Sequence, residues 1–175
     1  GVMLSGIELL APNTFAQLLG GTTQASRLFG VLTAVAFVTA AAGAAVSTRI
    51  PGRRQWVAIG SYLAAAAVVM MVAVPAVGVA AVSYLIFYMT IGLQGPVMAG
   101  LLHERVDARV RSTMMSVESL ALQGGGVLAS LAVGALAAGP GLTAGLGFVA
   151  VAAVAAAGVL LADLRHDPRT APDAM

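Results

Sequence analysis

The sequence predicts an all-α, polytopic membrane protein with six transmembrane helices in a three-plus-three arrangement. Three observations predict it. Hydrophobic residues make up 59% of the 175-residue chain and charged residues 9%, where a soluble domain carries about a quarter charged. Apolar runs near the roughly 20 residues that cross a bilayer recur six times. The connections between those runs alternate between arginine-bearing and nearly uncharged.

The first run, Gly1 to Leu19, begins apolar, without a basic lead-in or a small-residue cleavage site. It therefore reads as a span entered partway and not as a signal peptide. Gly20 to Ser26 is expected to form a polar turn. The second run is Leu28 to Thr48, closed by Arg49-Ile50-Pro51-Gly52-Arg53-Arg54; the third is Trp56 to Val74, followed by a tight Pro75-Ala76-Val77-Gly78 connection. The fourth is Val79 to Leu102 and the fifth Ser112 to Ala138, separated by the charged loop 103–111. Gly139-Pro140-Gly141 turns the chain into the sixth, Leu142 to Leu164. Residues 1–164 thus form one transmembrane domain, and 165–175 a polar tail expected to be disordered.

Charge predicts orientation. All nine basic residues besides histidine are arginines, and the alternation of six spans puts eight of them, all but Arg27, on one side. Basic loops stay in the cytoplasm, so this side, with the C-terminus, is expected to face inward across the plasma or inner membrane. Trp56 then lies at headgroup depth as an interfacial anchor.

Small residues predict close packing. Thr39, Gly43 and Ser47 recur every fourth position on the second span, as do Gly92, Pro96 and Gly100 on the fourth and Gly126, Ser130 and Gly134 on the fifth. Such faces let helix backbones approach in lipid, where apolar side chains gain little by leaving lipid for one another. Polarity is concentrated in the first, fourth and fifth spans, which are expected to face a protein interior or a wet cavity. The third and sixth are then peripheral.

Two acids fall inside spans. Glu8 stands four residues before Pro12, whose ring nitrogen cannot donate to the Glu8 carbonyl; Asn13 follows. An intramembrane acid costs about 2.5–3.5 kcal/mol on insertion scales, so it must be neutralised, paired or wet. Glu8 and Glu118 are the proton-coupling candidates. For Glu118 the structural alternative is an ion pair with Arg109 or Arg111, about two turns away. Asn13, Gln17, Tyr84, Tyr88, Gln94 and Gln123 are substrate-cavity candidates, with interhelical hydrogen bonding as the bland role. Arg49, Arg53, Arg54, Arg109 and Arg111 are candidates for a cytoplasmic loop or gate.

Several classes are disfavoured. The arginines are scattered singly, without a basic aromatic face, which argues against nucleic acid. There is no cysteine, hence no thiolate site. His103 and His166 lack a third ligand at zinc spacing, so neither metal nor other cofactor is expected. No intramembrane His or Lys accompanies a serine, which argues against an enzyme.

Arg111-Ser112-Thr113-Met114-Met115-Ser116-Val117-Glu118-Ser119-Leu120 with the glycines after it, Gly92-Leu93-Gln94-Gly95-Pro96-Val97 before Gly100-Leu101-Leu102, and the basic loop Arg49 to Arg54 together resemble helices eleven and ten and the eight–nine loop of the major facilitator superfamily (MFS). The resemblance covers all six segments and implies the C-terminal half of a twelve-helix secondary transporter, with proton-coupled efflux of a small molecule as its activity. It also implies that transport needs the missing N-terminal six-helix half or a second copy. The alternative is a truncated, non-transporting membrane module with an assembly or interaction role. Expected partners are the lipid bilayer, protons and a small-molecule substrate.

Overall fold

The computed structural model describes residues 1–49 and 53–166. Those residues form six helices in sequence order: α1 Val2–Leu19, α2 Thr22–Ser47, α3 Arg53–Ala73, α4 Val77–Arg105, α5 Arg111–Ala138 and α6 Leu142–His166. Among the described residues there is no strand. Five helices, all but α3, are long and apolar enough to cross a membrane; in α3 the apolar stretch is the shorter Ile59–Ala73. The tail from 167 onward, and the side chains of Arg53, Arg54, Trp56 and Arg165, lie outside the described residues.

Several helices begin or end beyond the apolar runs. The expected turn at Gly20 to Ser26 shrinks to two glycines. Gly20 adopts a left-handed conformation (φ 66°), and the Gly21 amide donates to the Ala16 carbonyl at 3.1 Å. That bond satisfies an orphan carbonyl of α1 and reverses the chain, so α2 starts at once on Thr22. Hydropathy marks where hydrocarbon begins, whereas a helix continues for as long as its amides find carbonyls. At the next turn on the same end of the bundle Gly141 has φ 107°, and its amide donates to the Leu136 carbonyl at 2.9 Å.

Packing runs α2 on α4, α3 on both α4 and α6, and α1 on α5, α6 and α2. Thr39 points its hydroxyl at the Leu85 carbonyl (3.4 Å). A side-chain carbon added at Gly43 would collide with the Met89 carbonyl and lie 2.9 Å from the Leu93 amide nitrogen; one added at Gly92 would collide with the Ala40 carbonyl and lie 2.7 Å from the Ala40 Cα. The α2 and α4 backbones therefore meet at Gly43 of the expected α2 face and Gly92 of the expected α4 face, whereas Pro96 of the latter is exposed. Residue numbers rise together along this contact, so α2 and α4 run parallel. Their C-terminal ends, Arg49 and the 105–111 loop, emerge at one end of the bundle.

The α5 face keeps only Gly126 of the expected one. Ser130 and Gly134 are exposed, and the contact with α1 uses Leu122, Gly125 and Gly126, which meet Gly1, Val2 and Ser5. Ala129 and Val133, one and two turns on, are buried. Helices α3 and α6 pack together, and their buried residues are mostly small, Ala64, Ala67, Val68, Val149, Ala153 and Ala157 among them.

Overpacking a tight contact costs typically about 1–3 kcal/mol. Gly43→Val should therefore lower the melting temperature of the detergent-solubilised protein, read by loss of the monodisperse peak on heating. Gly147→Ala, at a position open to within 4 Å, should leave it unchanged.

Candidate functional site

The candidate site lies where α1, α2 and α4 meet. The packing of α2 on α4 turns Tyr84 and Tyr88, one helical turn apart, inward; they are 1% and 4% exposed. Their rings lie 4.9 Å apart. Tyr88 also meets the edges of Phe87 and Phe37, both at 6.0 Å. From Tyr84 the ring contacts continue to Phe29 (5.6 Å) and on to Phe15 (6.2 Å). At these separations tilted and edge-on pairs add to the energy of burial alone.

This aromatic core delivers one polar group to the surface. The Tyr88 hydroxyl donates to Glu8 Oε1 at 3.0 Å. Glu8 itself is exposed on the open face of α1. The acid is therefore both hydrogen-bonded and accessible, two of the conditions that make an intramembrane carboxylate tolerable. Ring stacking fixes the Tyr88 ring, so its hydroxyl is aimed before any ligand arrives.

The other sequence candidates fall elsewhere. Asn13, next to Pro12, and Gln17, about one turn further on, are exposed and line a cleft with Ala137, Gly141 and Leu142. Asn13 also borders a second cleft, with Thr22, Ser26 and Phe29. Both clefts sit at the glycine-turn end of the bundle. Gln94 faces α3: its amide donates to Ser61 Oγ at 3.3 Å and lies over Gly60, where an added carbon would be 2.9 Å from Gln94 Nε2. That is an interhelical tie, the bland role.

Glu118 is exposed beside Gly1, Met115, Ser119 and Leu122. Glu118, Arg109 and Arg111 are all described, and no ion pair links the acid to either arginine. Gln123 is exposed and bonds Ser119 one turn back (3.3 Å). It extends a polar stripe on α5 in which Ser116 bonds the Ser112 carbonyl and Ser130 that of Gly126. Arg49 is exposed at the basic end, as is Arg109; Arg111 is partly buried there. Among the described residues there is no group of three metal-ligating side chains.

The α1–α5 contact fixes the relative depth of the two acids. A carbon added at Gly126 would lie 3.7 Å from the Ser5 Cβ, so these positions are level. Glu8 is three residues above and Glu118 eight below, about 16 Å apart along parallel axes at 1.5 Å per residue.

Sequence inspection did not single out Phe37 or Ser61 as partners of Tyr88 and Gln94. Both contacts join different helices, and the signal for them is three-dimensional. No protein-family model, curated protein or solved structure matches the chain significantly.

The Ser5–Gly126 level is directly testable, since the chain has no cysteine background. A Cβ separation of 3.7 Å falls within the range a disulfide spans. Ser5→Cys with Gly126→Cys should cross-link readily under copper–phenanthroline, seen as a mobility shift reversed by reductant. The pair Glu8→Cys with Glu118→Cys should not.

Proposed function

We propose that this chain is one six-helix half of a proton-coupled secondary transporter of MFS type, exporting a small molecule from the cytoplasm. The observation that carries this reading is the accessible Glu8 carboxylate held by Tyr88. Such a group can take a proton from one side and release it to the other, because no ion pair holds it among the described residues.

The helix pairing supports the three-plus-three half-transporter. Exchanging each helix with the one three places on turns the α2–α4 contact into α5–α1, and α3–α4 into α6–α1; α3–α6 maps onto itself. An internal repeat of this kind is common in secondary transporters. The exchange is incomplete, since α5 packs on α6 whereas α2–α3 is not among the packed pairs. In this reading α3 spans as the sixth helix, with Arg53 and Arg54 at its start. The arginine-bearing end and the C-terminus are cytoplasmic by the positive-inside rule, and the membrane is the plasma or inner membrane. The polar stripe of α5 and the open face of α1 line the route. The missing partner surface is a second six-helix half or a second copy.

The broad apolar exposure of α5 (Leu120, Leu128 and Leu131 at 66–71%) favours, as a second reading, a membrane module that acts by assembly. The two separate in one experiment. Cells producing the complete protein are challenged with a panel of toxic amphiphiles, and energised vesicles from them are assayed for export. Glu8→Gln should reduce gradient-driven export at least tenfold at unchanged membrane abundance, and Tyr88→Phe should reduce it partially. Export unchanged by Glu8→Gln, or none with any compound, removes the carrier reading.

A further inference from the structure

We propose that Thr33, the backbone carbonyl of Glu8 and the cleft between α1 and α2 hold a short file of water that carries protons from the glycine-turn end of the bundle to the Glu8 carboxylate. The file rests on the transporter reading for its role. It deepens that reading by naming the end from which Glu8 is reached and the residue that orders the last water.

Two polar groups without partners motivate it. Several hydroxyls inside these helices bond carbonyls of their own helix: Thr14 to Leu10, Ser26 to Thr22, Ser61 to Val57 and Thr90 to Phe87. Thr33 departs from that habit, since its Oγ1 is buried and has no hydrogen-bond partner among the described residues. On α1, Pro12 leaves the Glu8 carbonyl without its usual amide donor. A buried hydroxyl or carbonyl left alone is costly, and an ordered water is the common remedy.

Helix geometry brings the two groups to one place. Helices α1 and α2 run antiparallel from the two-glycine turn, with the Phe15 and Phe29 rings paired at 6.2 Å. Inward from that pair, four residues along α2 reach Thr33 and seven along α1 reach Glu8. On parallel axes Thr33 thus lies about 4.5 Å short of Glu8. The Glu8 carbonyl points back toward Pro12, into that interval. Thr22, Ser26, Gly30, Thr33 and Phe37 follow one another at steps of four, four, three and four, so they occupy one strip of α2. The outer part of the strip forms a cleft of about 350 Å³ with Pro12 and Asn13. Its inner end bears Phe37, whose ring meets that of Tyr88, the donor to Glu8. Thr33 stands between.

A buried water needs about two to four polar partners. The Thr33 hydroxyl, the Glu8 carbonyl and the next water outward supply them, and Asn13, Thr22 and Ser26 wet the cleft beyond. A hydronium entering the cleft passes one proton along the file to Glu8 and leaves water behind. Tyr88 occupies Oε1, so the proton arrives at Oε2. Thr33 is a positioning residue: its oxygen orients the last water and is unchanged at the end.

Water-edited solid-state NMR of the threonine-labelled full chain in lipid bilayers tests the site without reference to transport. The Thr33 signal is assigned by its loss in Thr33→Val or, where that variant does not assemble, in Thr33→Ser. It should gain polarisation from water as fast as Thr22, which is exposed at the turn. Thr90, 6% exposed, should gain it several times more slowly. In energised vesicles Thr33→Val should slow export about threefold at unchanged membrane abundance, and Thr33→Ser, which keeps the hydroxyl, should not. A Thr33 signal as slow as that of Thr90 overturns the proposal; if Glu8→Gln still stops export, the proton carrier stands without this path. Rapid transfer at Thr33 with export unaffected by Thr33→Val overturns the positioning role. Rapid transfer with no export of any compound upholds the water site and removes the transporter reading.

Discussion

Close backbone approach between α2 and α4 is the constraint on which the open face depends. Gly43 and Gly92 leave no room for a side chain, so two long helices cross with carbonyl against backbone. In lipid this contact cannot draw on a large hydrophobic gain; it rests on dispersion at short range and on polar contacts such as Thr39 to the Leu85 carbonyl. The same crossing brings Phe37 of α2 over the ring of Tyr88 on α4. It thereby decides where the tyrosine hydroxyl emerges, and hence where Glu8 finds its donor. Pro96 lies one turn beyond Gly92 and supplies no amide to it, so the Gly92 carbonyl is left without its usual helical partner where the backbones are closest.

Much of the architecture is legible in the sequence because the bilayer imposes one strong rule, that every backbone amide be satisfied within its own segment. That rule converts apolar runs into helices, and the runs ended within a few residues of the observed ends at most boundaries. The start of α2 differed most, because Thr22 to Arg27 are polar yet helical. The contact of α2 and α4 was readable at Thr39, Gly43 and Gly92, but not at Pro96, which is exposed. On α5 the same signal pointed to Gly126, Ser130 and Gly134; Gly126 is at the α1 contact with Gly125, whereas Ser130 and Gly134 are exposed.

The site was legible only residue by residue. Glu8 stood out as an acid in an apolar run, and Tyr88 as a polar aromatic, but eighty positions separate them and no local pattern says that α1 meets α4. Gln94 shows the converse limit. A carboxamide in a helix carries the same signal whether it faces a ligand or a neighbouring serine, and here it faces Ser61.

The register set by Ser5 against Gly126 has a last consequence. Carboxyl groups that share a proton, as in paired-acid catalytic centres, sit within hydrogen-bonding distance and titrate as one unit. Glu8 and Glu118 are separated along the helix axes by about eleven times the rise of one helical residue. At that separation the two carboxyl groups cannot share one proton in a direct hydrogen bond.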